Sequence, residues 1–187
     1  MLTISLMLVL SACNSESPMQ SNNSHQELKV LKFRDAAPLT LHKKANIKKN
    51  ITVQEGGSLA LQHGTADGAA ANFVYANVSL DVLPGALSAD AEIGLELETT
   101  ELQGGVALTF EPHSVVFSQP AVLNLIAHGL DFSGIDPDAV DIFYDDAETG
   151  MWIPMQRDNV IVDAELGTVQ VINALLPHFS RYAIGLP

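Results

Sequence analysis

The chain has 187 residues, a formal net charge of −13 at pH 7 and one cysteine, Cys13. A single cysteine excludes an internal disulfide framework, and it leaves no cysteine for catalysis or metal binding in the body of the domain. From Ile51 onward, two basic residues stand against 19 acidic ones. Such a surface has no basic stripe that displaces counterions from phosphates, so the composition argues against nucleic acid as a partner.

The first twelve residues have the pattern of an export signal. The run from Leu2 to Leu10 is apolar but too short to span a bilayer. It leads into the sequence LSAC, which resembles the lipobox of bacterial lipoproteins, where the cysteine is lipidated and the leader is cut before it. We therefore expect residues 1–12 to be a lipoprotein signal peptide and the lipid on Cys13 to hold the protein on a membrane.

Two features of the leader bear on whether it is a lipoprotein signal and on the membrane to which the protein is sorted. No Lys or Arg precedes the apolar run, which departs from the usual lipoprotein pattern. Asn14 follows the cysteine in place of the aspartate that resembles an inner-membrane retention signal. The expected location is therefore the bacterial outer membrane, with the domain facing the periplasm or the medium. The alternative interpretation of residues 1–13 is a short buried apolar segment with an inert cysteine.

Residues 13–50 are expected to connect the anchor to the domain. The stretch from Asn14 to Glu27 is rich in Ser, Asn and Gln and has no hydrophobic period, so it should be a flexible spacer. Seven of the nine basic residues then lie between Lys29 and Lys49. They would attract anionic head groups at about 1 kcal/mol per cation. The alternative is a first strand whose charges face solvent or the acidic domain, and the low apolar content favours it.

The sequence after residue 50 is patterned as strands. In NFVYANVSLDV, apolar and polar residues alternate from Val74 to Val82, and EIGLELE repeats the alternation. Further short segments of this kind follow, separated by turn signals such as PG and TG. Period-two segments at such spacing, without a convincing helical window, predict a single all-β domain over residues 51–187, an antiparallel β-sandwich.

Four short motifs occur in an order that resembles a known family. They are the turn Pro84-Gly85-Ala86-Leu87, the strand start Phe117-Ser118-Gln119-Pro120, the strand around Trp152 and the closing triplet His178-Phe179-Ser180. Over residues 51–185 this order resembles the zonula-occludens/uncoordinated-five domain, and similar domains occur in bacterial lipoproteins. The resemblance implies a β-sandwich used mainly for contact with other proteins, so we expect an envelope or extracellular protein as partner.

The closing triplet has two interpretations. Some domains of the family cleave themselves at a His-Phe-Ser sequence. Carried over to this chain, the resemblance implies that His178 takes the proton of Ser180, whose hydroxyl attacks the Phe179 carbonyl. Strand geometry offers the alternative, in which Phe179 points inward while its two neighbours share the opposite face. We favour this structural interpretation, because cleavage would release only residues 180–187.

Other chemistry has less support in the sequence. Six aspartates between Asp131 and Asp146 supply hard oxygen ligands, but their spacing lacks the regularity of a calcium-binding loop. The six histidines contain no HExxH or comparable pair, and no nucleophile elbow, phosphate loop or dinucleotide motif occurs. We therefore expect no metal, no cofactor and no catalysis on an external substrate. Binding of an envelope glycan or small ligand is kept as an alternative, although aromatic residues are few.

Overall fold

The computed structural model describes residues 28–34, 45–65, 74–98, 105–113 and 115–187. These residues form twelve strands and one 3-10 turn, Pro137–Ala139. The strands are β1 Lys29–Val30, β2 Ala45–Ile51, β3 Gly57–Thr65, β4 Val74–Val82, β5 Ala91–Glu98, β6 Ala107–Glu111, β7 Val116–His128, β8 Asp141–Asp146, β9 Met151–Pro154, β10 Asn159–Asp163, β11 Thr168–His178 and β12 Arg181–Leu186.

The strands form two antiparallel sheets that pack face to face. The seven-stranded sheet has the order β2-β5-β6-β12-β8-β9, and β1 joins it by pairing with β12. The five-stranded sheet has the order β10-β11-β7-β4-β3. The predicted all-β class and the antiparallel β-sandwich are confirmed.

Alternation of apolar and polar residues accounts for the strands. The apolar residues of β4, from Val74 to Val82, are buried, and the residues between them are half-buried or exposed. Ile93, Leu95 and Leu97 of β5 are buried in the same way. Because side chains alternate between the two faces of a strand, each sheet gains one apolar face. The two apolar faces form one continuous core between the sheets.

The N-terminal boundary of the domain differs from the expected boundary at Ile51. β1 pairs with β12, and β2 pairs with β5 along its whole length. Leu31 and Phe33 are buried in the core between the sheets, while Lys32 between them is exposed. The folded domain therefore already includes residues 28–34. Its basic residues Lys29, Lys32 and Arg34 obscure, in the sequence, the apolar residues Leu31 and Phe33 that face the core.

The chain passes between the two sheets at Phe179 and Ser180. β11 belongs to the five-stranded sheet, where it pairs with β7 and β10. β12 lies between β6 and β8 in the seven-stranded sheet. The closing stretch of the sequence thus contains the end of one strand, a crossing and the start of another. The expected last strand is β12 alone.

The expected signal peptide, Cys13 and the spacer up to Glu27 lie outside the described residues. The structural description begins at Leu28. Among the residues it covers, no helix is both long enough and apolar enough to cross a membrane.

Candidate functional site

The candidate site lies where the chain crosses from β11 to β12. The Phe179 side chain is buried between the sheets, with 2% of its surface exposed. Its ring stacks on Phe110 at a centroid distance of 5.3 Å and meets the Phe117 ring edge-on at 5.0 Å. Tyr182 meets Phe110 edge-on as well. These aromatic pairs fix the position of the crossing, since such pairs stabilise a core beyond the area they bury.

The polar groups of the triplet bind neighbouring main-chain groups. The Ser180 hydroxyl donates to the carbonyl oxygen of Asp145 at 2.5 Å, rather than to the His178 ring. Nδ1 of His178 lies 3.4 Å from the carbonyl oxygen of Phe179, and the ring meets Tyr144 edge-on. In this geometry, the Ser180 hydroxyl therefore forms a hydrogen bond that links the crossing to β8.

The two peptide groups of the crossing are also hydrogen-bonded. The Phe179 amide donates to the Val115 carbonyl at 3.0 Å, and the Phe110 amide donates to the Ser180 carbonyl at 3.3 Å. Attack by Ser180 on the preceding carbonyl needs a base within hydrogen-bonding reach of its hydroxyl. Self-cleavage would therefore require Ser180 to leave the Asp145 carbonyl and turn its proton toward His178.

The Tyr182 hydroxyl forms a hydrogen bond with the last residue of β11. It is buried and donates to the carbonyl oxygen of His178. Burial raises the pKa of the Tyr182 phenol well above its ordinary value, and the nearby Tyr144 acts in the same direction. The phenol therefore stays protonated at physiological pH. It acts as a fixed donor rather than as an acid or base.

Three of the four motifs that carry the family resemblance meet at this end of the sandwich. Gly85, in the turn after β4, has a φ of 78°, a conformation that favours glycine. The Ser118 hydroxyl donates to the Gly85 carbonyl at 2.8 Å, and its amide donates to the Ala86 carbonyl at 2.9 Å. Since Phe117 touches Phe179, the turn, the start of β7 and the closing triplet form one packed unit.

Trp152, in the fourth motif, lies apart from this unit. It is half-buried on β9 and packs against a small cluster on the outer side of the seven-stranded sheet. That cluster consists of Leu28, Phe143 and Ala183, with Val30 beside it. The tryptophan thus helps to cover the place where the N-terminal segment joins the sheet.

The acidic stretch before β9 makes local hydrogen bonds. Asp131 accepts a hydrogen bond from the Ser133 amide at 2.9 Å. Asp146 accepts from the Thr149 hydroxyl at 2.6 Å, and this bond holds the pKa of the Asp146 carboxyl below its ordinary value. Within the described ranges, no group of three or more His, Cys, Asp or Glu side chains is placed to hold a metal ion. These carboxylates stabilise turns.

His128 lies at the outer side of the five-stranded sheet. Its ring stacks on Tyr75 at 5.7 Å, and Nδ1 lies 2.6 Å from the Thr168 hydroxyl. The pKa of His128 is lowered, first by burial and then by the Arg34 charge, while Asp163 opposes this shift. This histidine is therefore coupled to the N-terminal segment through Arg34.

The sequence did not reveal the outer surface of the five-stranded sheet as a unit. Cross-strand register places one row of side chains across all five strands: Gln62, Asn77, Ile126, Gln170 and Ile161. The exposed carboxylates of Asp81 and Asp163 flank this row on the same face. Each residue of the row can be recognised in the sequence as a solvent-facing position of an alternating strand. These residues lie side by side only because the strand order brings together segments that are far apart in the chain.

Comparison of the chain with known protein families, with curated proteins and with solved structures finds no match. The likeness to the zonula-occludens/uncoordinated-five domain therefore stays a prediction from the four motifs.

Proposed function

We propose that the protein is a lipid-anchored β-sandwich of the bacterial envelope that acts as a non-catalytic protein-interaction or structural module. One observation carries the non-catalytic part: the candidate nucleophile, Ser180, donates to the carbonyl oxygen of Asp145 and so joins two strands. The motifs that resemble the zonula-occludens/uncoordinated-five domain support contact with other proteins, since that is the main use of the family's domains.

The anchor is supported by the LSAC sequence and by the short distance from Cys13 to the folded domain. Fourteen residues, Asn14 to Glu27, separate Cys13 from Leu28. A flexible chain of that length has an average end-to-end distance of about 20 Å and a maximum of about 50 Å. A domain attached at Cys13 therefore meets its partners close to the membrane that holds it.

Metabolic labelling with a fatty acid tests the anchor. The wild-type chain should carry label that resists denaturation, and Cys13→Ala should carry none, because the thioether needs the cysteine sulfur. Fractionation should place the labelled protein in the outer membrane. An unlabelled wild-type chain, or label that persists in the variant, would remove the lipoprotein proposal.

Self-processing between Phe179 and Ser180 is the second candidate. The 3.4 Å approach of His178 Nδ1 to the Phe179 carbonyl oxygen favours it, because a donor there polarises the carbonyl for attack. Intact-mass spectrometry in denaturant separates the two candidates. The proposed function gives the whole chain. Loss of residues 180–187 that is abolished by Ser180→Ala but not by Ser118→Ala would establish self-processing instead.

A further inference from the structure

The N-terminal segment, residues 28–34, lies in a groove formed by distant parts of the chain. β6 pairs with β12 over Arg181–Ala183, and β1 continues on the same side of β12. There Lys29 lies opposite Leu186, and Val30 lies opposite Gly185. We call the residues that receive the segment the acceptor groove: residues 105–106, 129–131 and 184–186.

Two glycines shape the acceptor groove to a main chain. A β-carbon on Gly105 would overlap the Val30 side chain. A β-carbon on Gly185 would lie 2.6 Å from the Lys29 carbonyl oxygen, which is closer than non-bonded atoms approach. Glycine is the residue that permits such a close approach. The groove therefore accepts an extended segment that lies directly against the sheet.

Hydrogen bonds and apolar side chains hold the segment in the groove. The Leu31 amide donates to the Ile184 carbonyl at 2.9 Å, and the Val106 amide donates to the Leu31 carbonyl at 3.3 Å. The side chains of Leu31 and Phe33 enter the core between the sheets, while Lys32 between them is exposed. The groove thus recognises an extended segment with buried apolar residues at alternate positions.

The segment is paired over a short length. β1 has two residues, and single bridges follow at Lys32 and Phe33. β2, by contrast, pairs with β5 over seven residues. Elements with few paired residues open locally at a lower free energy than the whole domain unfolds. The segment should therefore leave its groove more readily than the long strands separate.

The sequence that fits the acceptor groove is the sequence of this chain. Every neighbouring copy carries residues 28–34, so it can make the same hydrogen bonds and bury the same side chains. Ten residues, 35–44, join the segment to β2. They reach about 35 Å when extended, which exceeds the width of about 24 Å of six adjacent strands. The segment of one copy can therefore reach the groove of the next.

Charge favours this contact between copies. The segment carries the basic residues Lys29, Lys32 and Arg34. From Ile51 onward, two basic residues stand against 19 acidic ones. A segment that enters a neighbour's groove therefore brings positive charge to an acidic domain, which opposes the repulsion between two acidic copies.

We propose that two copies exchange their N-terminal segments, with residues 28–34 of each in the acceptor groove of the other about a two-fold axis. The chain's own segment competes at an effective concentration on the order of millimolar, so the monomer prevails in dilute solution. Attachment to one membrane raises the local concentration of the copies and favours exchange. This inference deepens the proposed interaction function by naming the partner and the surface, and it rests on that function.

Disulfide trapping between single-cysteine chains tests the exchange. The chain from residue 13 with Cys13→Ala retains every described residue and has no cysteine. One copy receives Lys29→Cys and the other receives Leu186→Cys, because these residues lie directly opposite each other in the pairing of β1 with β12. Opposite β-carbons are about 4.5–5.5 Å apart, close enough for a disulfide to form with a small shift. The two copies, mixed at about 1 mM under mild oxidation, should form a disulfide-linked heterodimer.

A mixture with a distant cysteine is the matched control. Val116 is 69% exposed and lies at the start of β7, whereas the groove lies beyond its other end. The heterodimer of Lys29→Cys with Leu186→Cys should exceed that of Lys29→Cys with Val116→Cys by about tenfold or more, because docking raises the local thiol concentration. Equal yields from the two mixtures would overturn the proposal, since chance collision would then explain the link.

The double variant checks the register within one chain. Lys29→Cys with Leu186→Cys in the same chain should close to a monomeric disulfide in dilute solution, because the segment then occupies its own groove. A double variant that stays open would remove the pairing on which the exchange depends. Intact-mass spectrometry without reductant separates the monomeric disulfide from the linked pair.

A free peptide distinguishes a second copy from another source of the segment. The peptide has the sequence of residues 27–36 with Lys29→Cys. If it links to Leu186→Cys chains that never link to whole Lys29→Cys chains, the second copy is excluded as the occupant. Failure of the exchange leaves the fatty-acid experiment untouched, and an unlabelled chain leaves the disulfide experiment untouched.

Discussion

The two ends of the folded chain both connect the sheets, but their sequences suggest different roles. Residues 28–34 pair with β12 in the seven-stranded sheet through β1. Arg34 then donates from its amide to the Gly129 carbonyl and from its guanidinium to the Leu130 carbonyl, at the end of the five-stranded sheet. At the other end of the chain, Phe179 and Ser180 carry the main chain itself from one sheet to the other.

In both segments, the residues that suggest a chemical function differ from the residues that determine the position of the chain. The basic residues of the first segment suggest attraction to a membrane, whereas Leu31 and Phe33 bury it in the core. The closing triplet suggests catalysis, whereas its serine bonds to a carbonyl and its phenylalanine fills the core. In both segments the buried alternate residues, rather than the polar ones, account for the position of the chain.

Deletion of the first segment should have the largest effect. A chain that starts at Ile51 lacks β1 and nearly all of β2, so it exposes the core that Leu31 and Phe33 cover. We expect no cooperative thermal transition in circular dichroism, whereas a chain that starts at Leu28 should unfold cooperatively. Equal midpoints for the two chains would show that the segment is dispensable and would restore the boundary at Ile51.

Truncation of the aromatic ring at the crossing should come next. Phe179→Ala removes a ring that contacts Phe110 and Phe117, and such a change in a core costs about 3–5 kcal/mol. Urea unfolding followed by fluorescence measures the loss. Val116→Ala serves as the control, because Val116 is 69% exposed and its truncation should change the free energy of unfolding by less than about 0.5 kcal/mol. Similar losses for both variants would contradict the packing described here.

Removal of the serine hydroxyl should have a smaller effect. Ser180→Ala leaves the Asp145 carbonyl without its donor and should lower the free energy of unfolding by about 1 kcal/mol. Ser118→Ala, which removes a hydroxyl bonded to the Gly85 carbonyl, provides the comparison. A Ser180 variant as stable as the parent would mean that this hydroxyl does not join β8 to the crossing.

The smallest expected effect is a change in pH dependence. Because the pKa of His128 is lowered in the folded state, that state binds fewer protons than the unfolded state as the pH falls through about 6.5. The stability linked to His128 is therefore present above pH 6.5 and is lost on acidification. His128→Gln should flatten the fall of the thermal midpoint over this range.

A second variant ties this pH dependence to the first segment. Arg34→Gln removes the positive charge that helps to lower the pKa of His128, so NMR titration should show that pKa moving upward. An unchanged titration curve would show that the first segment does not reach the histidine. Identical pH profiles of the parent and His128→Gln would exclude the histidine as the titrating group.

Local patterns in the sequence predicted much of the fold. The alternation in β4 and β5 and the turns marked by Pro84-Gly85 and Thr149-Gly150 all depend on neighbours along the chain, and the structure contains each of them. The sandwich followed from the number and spacing of such segments. These features are visible in one sequence because side-chain alternation and turn chemistry act over a few residues.

Features that depend on distant residues were not predictable in the same way. The folded domain begins before the expected boundary at Ile51, because the burial of Leu31 and Phe33 depends on strands at the other end of the chain. The hydrogen bond from the Ser180 hydroxyl to the Asp145 carbonyl requires the crossing to lie beside β8. The row of side chains on the outer side of the five-stranded sheet requires the order of all five strands.

The position of Leu28 fixes the side of the sandwich on which the described chain begins. Leu28 packs with Phe143 on the outer side of the seven-stranded sheet, and the five-stranded sheet lies on the opposite side of the sandwich. The described chain therefore enters the domain on the seven-stranded side. The outer side of the five-stranded sheet is therefore left clear of the point at which the N-terminal segment joins the domain.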